Sequence, residues 1–433
     1  MNGFPMIDLD GFKAKCDSLA KILAVVTAFT VTFSTSLVAL GFTLIGLLWL
    51  LSGNWRDKIA RIRRLPAAVA ALVLLALVFL GMFYGPATMS ESLNRFDSYL
   101  NTLLFIAIFA TVVTDDVWRK RVFTSFLVGM VITMILSYLT VSHLISLPFG
   151  DPKRGEVFHY YITQNYFMAI AVYVAFAWFL FRGKEMSRAQ KALILSAIIL
   201  GVINVFFVTT ARTGPVVLGA MFLTFLVDRY RLKGLLLGLA AMVAIAAVAY
   251  TLSGRFRFKV HETASQLQTI AKGERQKLPG RAGFYLIGSR IVRHHPVFGV
   301  GTGGLDRVYH QYVQQLELRQ SQFPWQVSLH SAYSMIATEL GLLGLLVFLG
   351  FIVMAARETN RLPDPHRMIG IGLVAAFTID SFINSAATNV NEGQLFALLI
   401  GAIIGKSLEL GDSMTAGDRK PTEESLPKAE ANP

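Results

Sequence analysis

His330, Arg212, Arg281 and Arg154 are the residues whose types and settings point to chemistry in this chain. A histidine of ordinary pKa, about 6.5, is mostly neutral at neutral pH, and nearby arginines keep it so. A neutral imidazole can take a proton, as general-base chemistry requires. An arginine holds an oxyanion through a planar fork of donors, with no metal needed. Arg212 lies in Thr209-Thr210-Ala211-Arg212-Thr213-Gly214-Pro215, just ahead of a helix that Pro215 is suited to start. A guanidinium beside the positive end of a helix dipole makes a strong anion site. Arg281 opens a short helix, and Arg154 precedes the pair Gln164-Asn165. Each has a plainer reading. Arg212 suits a side chain snorkelling to headgroups, Arg281 a solvated loop charge, Arg154 a basic turn beside Lys153, and His330 an interfacial filler.

Two other chemistries find little support. Gly299-Val300-Gly301-Thr302-Gly303-Gly304 matches G-x-G-x-x-G in form, but it follows a helix and Pro296 and has no βαβ setting. A tight turn that lets backbone approach closely is the better reading. The eight histidines show no His-x-x-x-His spacing. Asp8/Asp10 and Asp115/Asp116 are the only paired aspartates, and both pairs fall away from the side where the arginines lie. No metal and no cofactor is expected.

The elements that must position these residues are membrane spans. Of 433 residues, 54% are hydrophobic and only 15% charged, a balance that a bilayer can hide and a soluble domain of this size cannot. At roughly 20 apolar residues per crossing, spans are expected near 18–34, 36–52, 66–84, 98–114, 122–146 and 166–181. Six more follow near 192–209, 215–227, 234–252, 332–355, 368–386 and 393–406, making twelve. With the N-terminus cytoplasmic, twenty-five of the forty Lys and Arg residues fall on inner segments and fifteen on outer ones. Eleven of those fifteen sit in one polar segment, from about Leu252 to His330, and every shorter connection obeys the positive-inside rule. Long loops are largely exempt from that rule, so a concentrated outer charge there suggests that something anionic binds. The net charge of +13 needs no nucleic acid, since most of it faces anionic lipid headgroups.

The expected organisation is an all-α polytopic membrane protein: 1–252 with nine spans, 253–330 as the large outer loop, 331–408 with three spans, and 409–433 as a disordered tail. The start of the chain is mixed polar, with Asp8, Asp10 and Asp17, unlike a cleaved signal peptide. Cys16 is the single cysteine and can form no internal disulfide. Within the loop, Arg281 to Arg293 reads as a helix stopped by His295-Pro296. Leu305, Val308, Tyr309, Tyr312, Val313 and Leu316 recur at helical spacing, an amphipathic segment that should lie on the membrane or cap the bundle. Gly341 and Gly344 read as positions where two helices approach closely. Glu339 and Asp380 are the clear charges within spans and are functional candidates for that reason. Asp380 lies near the outer end of its helix, where it could orient His330.

His330-Ser331, nine residues, then Gly341-Leu342-Leu343-Gly344 resembles the signature of the O-antigen ligase and polymerase superfamily of membrane glycosyltransferases. Arg281 to Gly301 is similar to that family's outer-loop segment. Thr210-Ala211-Arg212-Thr213 resembles its arginine-bearing turn, and Arg154 with Asn165 an earlier one. The resemblance runs from about residue 150 to 350. It implies a glycosyltransferase-C-like helical fold in the bacterial inner membrane, with both termini cytoplasmic and a periplasmic active site. The implied donor is a glycan on undecaprenyl pyrophosphate and the acceptor lipid A–core, with membrane lipids around and no nucleic acid. His330, Arg212 and Arg281 are then the catalytic candidates, and Arg154, Asn165, Arg290, Arg293, Ser331 and Asp380 the substrate-binding ones. An O-antigen polymerase or an O-linked oligosaccharyltransferase of the same superfamily is the alternative. The ligase leads because the chain has one large outer loop and ends soon after the last span. From another class, a lipid-linked glycan transporter fits the span count but lacks visible internal repeats.

Overall fold

In the computed structural model, residues 8–252, 254–272, 280–315 and 329–417 are described. Fifteen α-helices order the chain among these residues, and none of them forms a strand. The first six are α1 (Leu9–Thr30), α2 (Thr35–Leu51), α3 (Trp55–Arg63), α4 (Pro66–Leu80), α5 (Met89–Val112) and α6 (Asp116–Val141). Then come α7 (Tyr161–Arg182), α8 (Arg188–Ile203), α9 (Thr213–Leu252) and α10 (Gly254–Ala271). The last five are α11 (Gly280–His294), α12 (Leu305–Gln315), α13 (Ala332–Asn360), α14 (His366–Ile383) and α15 (Val390–Gly417).

Local sequence explains where many of these begin. Ser34 and Asp115 accept from backbone N–H groups in the first turns of α2 and α6, and α4 starts on Pro66. Thr88 with Glu91 and Ser187 with Gln190 form capping boxes on α5 and α8. The box on α5 places its start nine residues ahead of the span expected at 98–114, and so brings Arg95 into the bundle rather than onto an outer connection.

All twelve expected spans fall on helices. Eight of the described helices are long and apolar enough to cross a membrane, or nine if α2 and α3, bent by 116°, count as one span. The protein is an all-α, polytopic membrane protein. Outside that count stand α1, with Asp10, Lys13, Lys15 and Asp17 in its first half and Lys21 just beyond, and α9. The latter breaks at Arg231 (φ 53°) into two arms. A Cβ on Gly238 would lie 2.6 Å from Leu223, and one on Gly219 3.7 Å from Met242, so the arms fold back as a hairpin. Those arms correspond to the two spans expected at 215–227 and 234–252.

At the centre runs α15, buried on every side from Glu392 to Lys406, the pattern of a helix surrounded by others. Gly401 and Gly405 let it approach α5, since a Cβ on either would lie 2.7 Å from α5 atoms. The helix continues to Gly417, so 409–417 of the expected tail is helical, and the rest lies outside the described residues.

One end of the bundle is held by ion pairs. Arg119 meets Asp116 and Glu409, Lys406 meets Asp116 at 2.7 Å, Arg367 meets Asp228 at 2.9 Å, and Arg64 meets Asp412 at 2.7 Å. The loop helices α11 and α12 cap the opposite end. Phe284, Ile287 and Ile291 of α11 meet Leu305, Tyr309 and Val313 of α12 in a second small core, which also takes in Leu329 and Met335. The amphipathic segment therefore caps the bundle. Leu316, on its expected face, lies outside the described residues.

Candidate functional site

The site is built on a deliberate defect in α13. Gly341 breaks this helix with φ 68° and ψ −167°, a conformation costly for any residue with a side chain. A break leaves carbonyls and amides unpaired, and buried backbone groups must find partners elsewhere. The turn from Pro296 to Gly304 supplies them. Val300 and Gly301 N–H groups donate to the Thr338 and Glu339 carbonyls, both at 2.9 Å. In return, Leu342 N–H donates to Pro296 O at 2.8 Å and Leu343 N–H to Val297 O at 3.3 Å.

The contact is so close that a Cβ on Gly341 would lie 2.1 Å from Val297 O. Close backbone approach, expected for the Gly299–Gly304 turn, is what the structure shows. Gly341, expected to face another helix, instead seats this turn, and Gly344 faces Leu340 of its own helix. The same turn reaches the end of α4: Thr302 donates from N to Gly81 O at 2.8 Å and from Oγ1 to Val78 O at 2.6 Å. Glu339, just before the break, is buried against α5, with Arg95 Nε at 2.9 Å and the Tyr99 hydroxyl donating at 3.1 Å. It fastens α13 to α5 and does not reach His330's end of the helix.

The chain enters α13 through His330 and Ser331, with nine residues between Ser331 and Gly341. His330 is half-buried and adopts φ 49°, a left-handed conformation uncommon for a residue with a side chain. Its ring packs on Phe284 at 5.3 Å between centroids, and Phe284 in turn packs on Tyr309 at 6.0 Å. Burial pushes the Tyr309 phenol well up, so it stays protonated. Ser331 is buried and its hydroxyl donates to Ser381 O at 3.3 Å.

Arg212 stands on the adjoining turn, before α9. A π-helical turn, Asn204–Val208, ends α8, and the turn that follows is pinned from three sides. Asn165, fully buried, donates its amide to Val205 O at 3.3 Å and Ala211 O at 3.2 Å. Thr210 N–H donates to Arg154 O at 3.4 Å, and Asn204 accepts from the Thr209 hydroxyl at 3.0 Å. The Arg212 guanidinium is left exposed, paired with Glu262 of α10 at 3.2 Å. Both side chains are partly solvated, so an incoming anion can replace Glu262 at small cost.

One residue outside the sequence expectations joins the two halves. Asn384, just past α14, donates from Nδ2 to Asp380 Oδ1 at 2.7 Å and to Thr213 Oγ1 at 3.4 Å. Its carbonyl accepts from Ala332 N–H at 3.0 Å. It therefore touches the residue after Arg212 and the second residue after His330 at once. The i, i+4 pair Asp380 and Asn384 at the end of a span was the available signal.

The other expected residues divide by position. Arg281 is the second residue of α11, one turn before the Phe284 that meets His330, and its side chain lies outside the described residues. Arg154 is half-exposed, stacked over Tyr161 at 4.6 Å and paired with Asp151 at 3.3 Å. Arg290 and Arg293 lie further along α11, about 9 and 13 Å beyond Phe284 at 1.5 Å per residue. Asn165, Ser331 and Asp380 are buried behind the site with their hydrogen bonds directed to the chain itself. Among the described residues, no group of three or more His, Cys, Asp or Glu is placed to hold a metal ion.

Residues 197–349 match the family model described as O-Antigen ligase. The match begins in α8 and ends in α13, so it takes in Arg212, Arg281, the glycine turn and His330. A comparison with curated proteins finds no match. The O-antigen ligase superfamily is the one this segment belongs to.

Proposed function

From the O-antigen ligase family segment at 197–349 and the site it contains, we propose that this glycosyltransferase-like membrane protein moves O-antigen from undecaprenyl pyrophosphate to lipid A–core. The observation that carries this reading is the junction at Asn384, which brings the Arg212 turn and the start of His330's helix together at one end of the bundle.

His330 takes the proton from a hydroxyl of the acceptor sugar. That oxygen attacks the anomeric carbon and forms the new glycosidic bond, while the bond from carbon to pyrophosphate oxygen breaks on the opposite face. The configuration inverts, and undecaprenyl pyrophosphate leaves with the electron pair. Arg212 and Arg281 stabilise the charge that builds on it. Arg154, Arg290 and Arg293 attract the phosphates of donor and acceptor. Asn165, Ser331 and Asp380 act from behind, holding Arg212 and His330 in place. The excess of basic residues on the short connections at the other end supports placing this site in the periplasm of the inner membrane, with both termini in the cytoplasm.

The test is transfer by purified protein between an undecaprenyl-pyrophosphate glycan and lipid A–core. His330→Ala is expected to insert and fold normally while losing about 10²–10⁴ in rate, the usual contribution of a general base. Near-normal transfer by that variant would sink the assignment. Wild-type product on a second lipid-linked unit, instead of on lipid A–core, would make the protein a polymerase.

A further inference from the structure

A cavity of about 480 Å³ opens beside the glycine turn, walled by Tyr84, His295, Gln311, Tyr312 and the backbone of Gly299 and Val300. That volume falls within the usual range for small-molecule sites. Its walls are fixed. Gly85 and Gly301 are both left-handed, and a Cβ on either would lie 2.0 Å from the carbonyl oxygen of the facing strand of chain. Tyr84 donates its hydroxyl to Phe298 O at 2.7 Å, and Tyr312 lies against His294 at 5.7 Å.

The chemistry of these walls differs from the rest of the loop. The segment around them carries eleven Lys and Arg residues, yet among the described residues no Lys, Arg, Asp or Glu lines the cavity. Among those residues a phosphate would find no counter-charge. A neutral ring bearing hydroxyls would find aromatic walls for its C–H faces, the Gln311 amide as both donor and acceptor, and the His295 imidazole. The position is also defined. Both α4 and α14 pack on α13, and α9 packs on α14. The cavity, beside the end of α4 and the glycine turn, therefore lies toward the Gly341 end of this stretch of α13, and Arg212, at the start of α9, lies at its His330 end. Through Tyr309 and Phe284, the helix that lines the cavity is in ring contact with His330.

We propose that this cavity holds a neutral pyranose ring of the acceptor glycan, away from the reacting hydroxyl, so that the acceptor reaches His330 from the Gly341 end and the pyrophosphate from the Arg212 turn. The identity of the acceptor rests on the ligase reading; the sugar-binding chemistry rests on the cavity alone. The experiment uses the full chain in lipid nanodiscs, with the double variant His295→Ala/Gln311→Ala and the filling variant Gln311→Trp, all at exposed positions. Initial rates of transfer are measured with acceptor and donor varied in turn. Two lost neutral hydrogen bonds should raise the KM for lipid A–core about tenfold, with kcat and the donor's KM unchanged. In parallel, binding of lipid-free core oligosaccharide is followed by saturation-transfer NMR, where Gln311→Trp should abolish the wild-type signal. A rise in the donor's KM instead, or no change in either KM, overturns the acceptor assignment. No oligosaccharide binding by wild type, or equal binding by Gln311→Trp, overturns the sugar site itself. Oligosaccharide bound by wild type and lost in Gln311→Trp, in a protein that makes no product on lipid A–core, would keep the sugar site and reject the ligase reading.

Discussion

Replacing Asn384 by alanine should separate positioning from chemistry. The substitution removes the amide that donates to Asp380 at 2.7 Å and to Thr213 at 3.4 Å, and keeps the backbone acceptor for Ala332. The first bond is short and its acceptor fully buried; the second is long and weak. Losing one buried bond and stranding a carboxyl oxygen costs about 2–3 kcal/mol of stability. The effect on rate is larger than the loss of contact suggests. A shift of about 1 Å in a catalytic group can cost on the order of 10²-fold, and Asn384 is the shared tether of His330's helix and Arg212's turn. The variant is expected to lose about a hundredfold in kcat, with a modest change in either KM. Asp380→Asn changes the same bond from its other side, so the double variant Asp380→Asn/Asn384→Ala should fall short of the sum of the single effects. The assays are steady-state transfer and thermal unfolding of the purified proteins. Wild-type kcat in a normally stable Asn384→Ala protein, or strict additivity in the cycle, would refute the tether.

Three further outcomes are expected. Arg212→Lys and Arg281→Lys should fail in single-turnover transfer nearly as badly as the alanine variants, by roughly 10²–10³, because a lysine keeps charge and loses the fork. Lys272→Ala, an exposed charge, should cost far less, and equal mild losses in all three would leave only a diffuse positive potential. If these arginines supply the positive charge, EDTA should leave transfer unchanged; loss restored by magnesium would assign that role to a metal. Gly341→Ala should lower thermal stability by several kcal/mol, since it strains φ and meets Val297 O, with a cost at the upper end of single substitutions. Gly350→Ala, in the same helix with nothing within 4 Å, should be neutral or stabilising by up to about 1 kcal/mol, and similar melting curves for the two would contradict the seated turn.

Much of the architecture was legible because the bilayer imposes a simple code. Apolar runs located every helix that became a span, and the 3.6-residue period of Leu305 to Val313 gave a helix with its buried face. The glycine turn was recognisable as a turn from composition alone. What stayed hidden were partners far apart in sequence. Arg95 read as an outer-segment charge because Glu339, which makes its place in the bundle tolerable, lies 244 residues away. Asn165 read as a ligand because sequence shows that a polar residue is near a turn, not that its amide already holds that turn's carbonyls. Gly341 read as helix packing because its role exists only once the Pro296–Gly304 turn is docked. Residue types identified candidates for chemistry; which of them hold other parts of the chain in place became visible only in their hydrogen bonds.

The break at Gly341 also gives meaning to a count of residues. Between Ser331 and Gly341, α13 is a rod of nine residues, clamped at one end by Asn384 and at the other by the glycine turn. Each residue of an α-helix advances by 1.5 Å and turns by about 100°. The length of this rod therefore sets an angle as well as a distance. One residue more or fewer would move His330 by little more than an ångström, yet swing its starting direction by over a quarter turn while both clamps held. The spacing between histidine and glycine acts as a phase lock, and an insertion here would be felt as a mis-aimed imidazole in a protein that is otherwise folded.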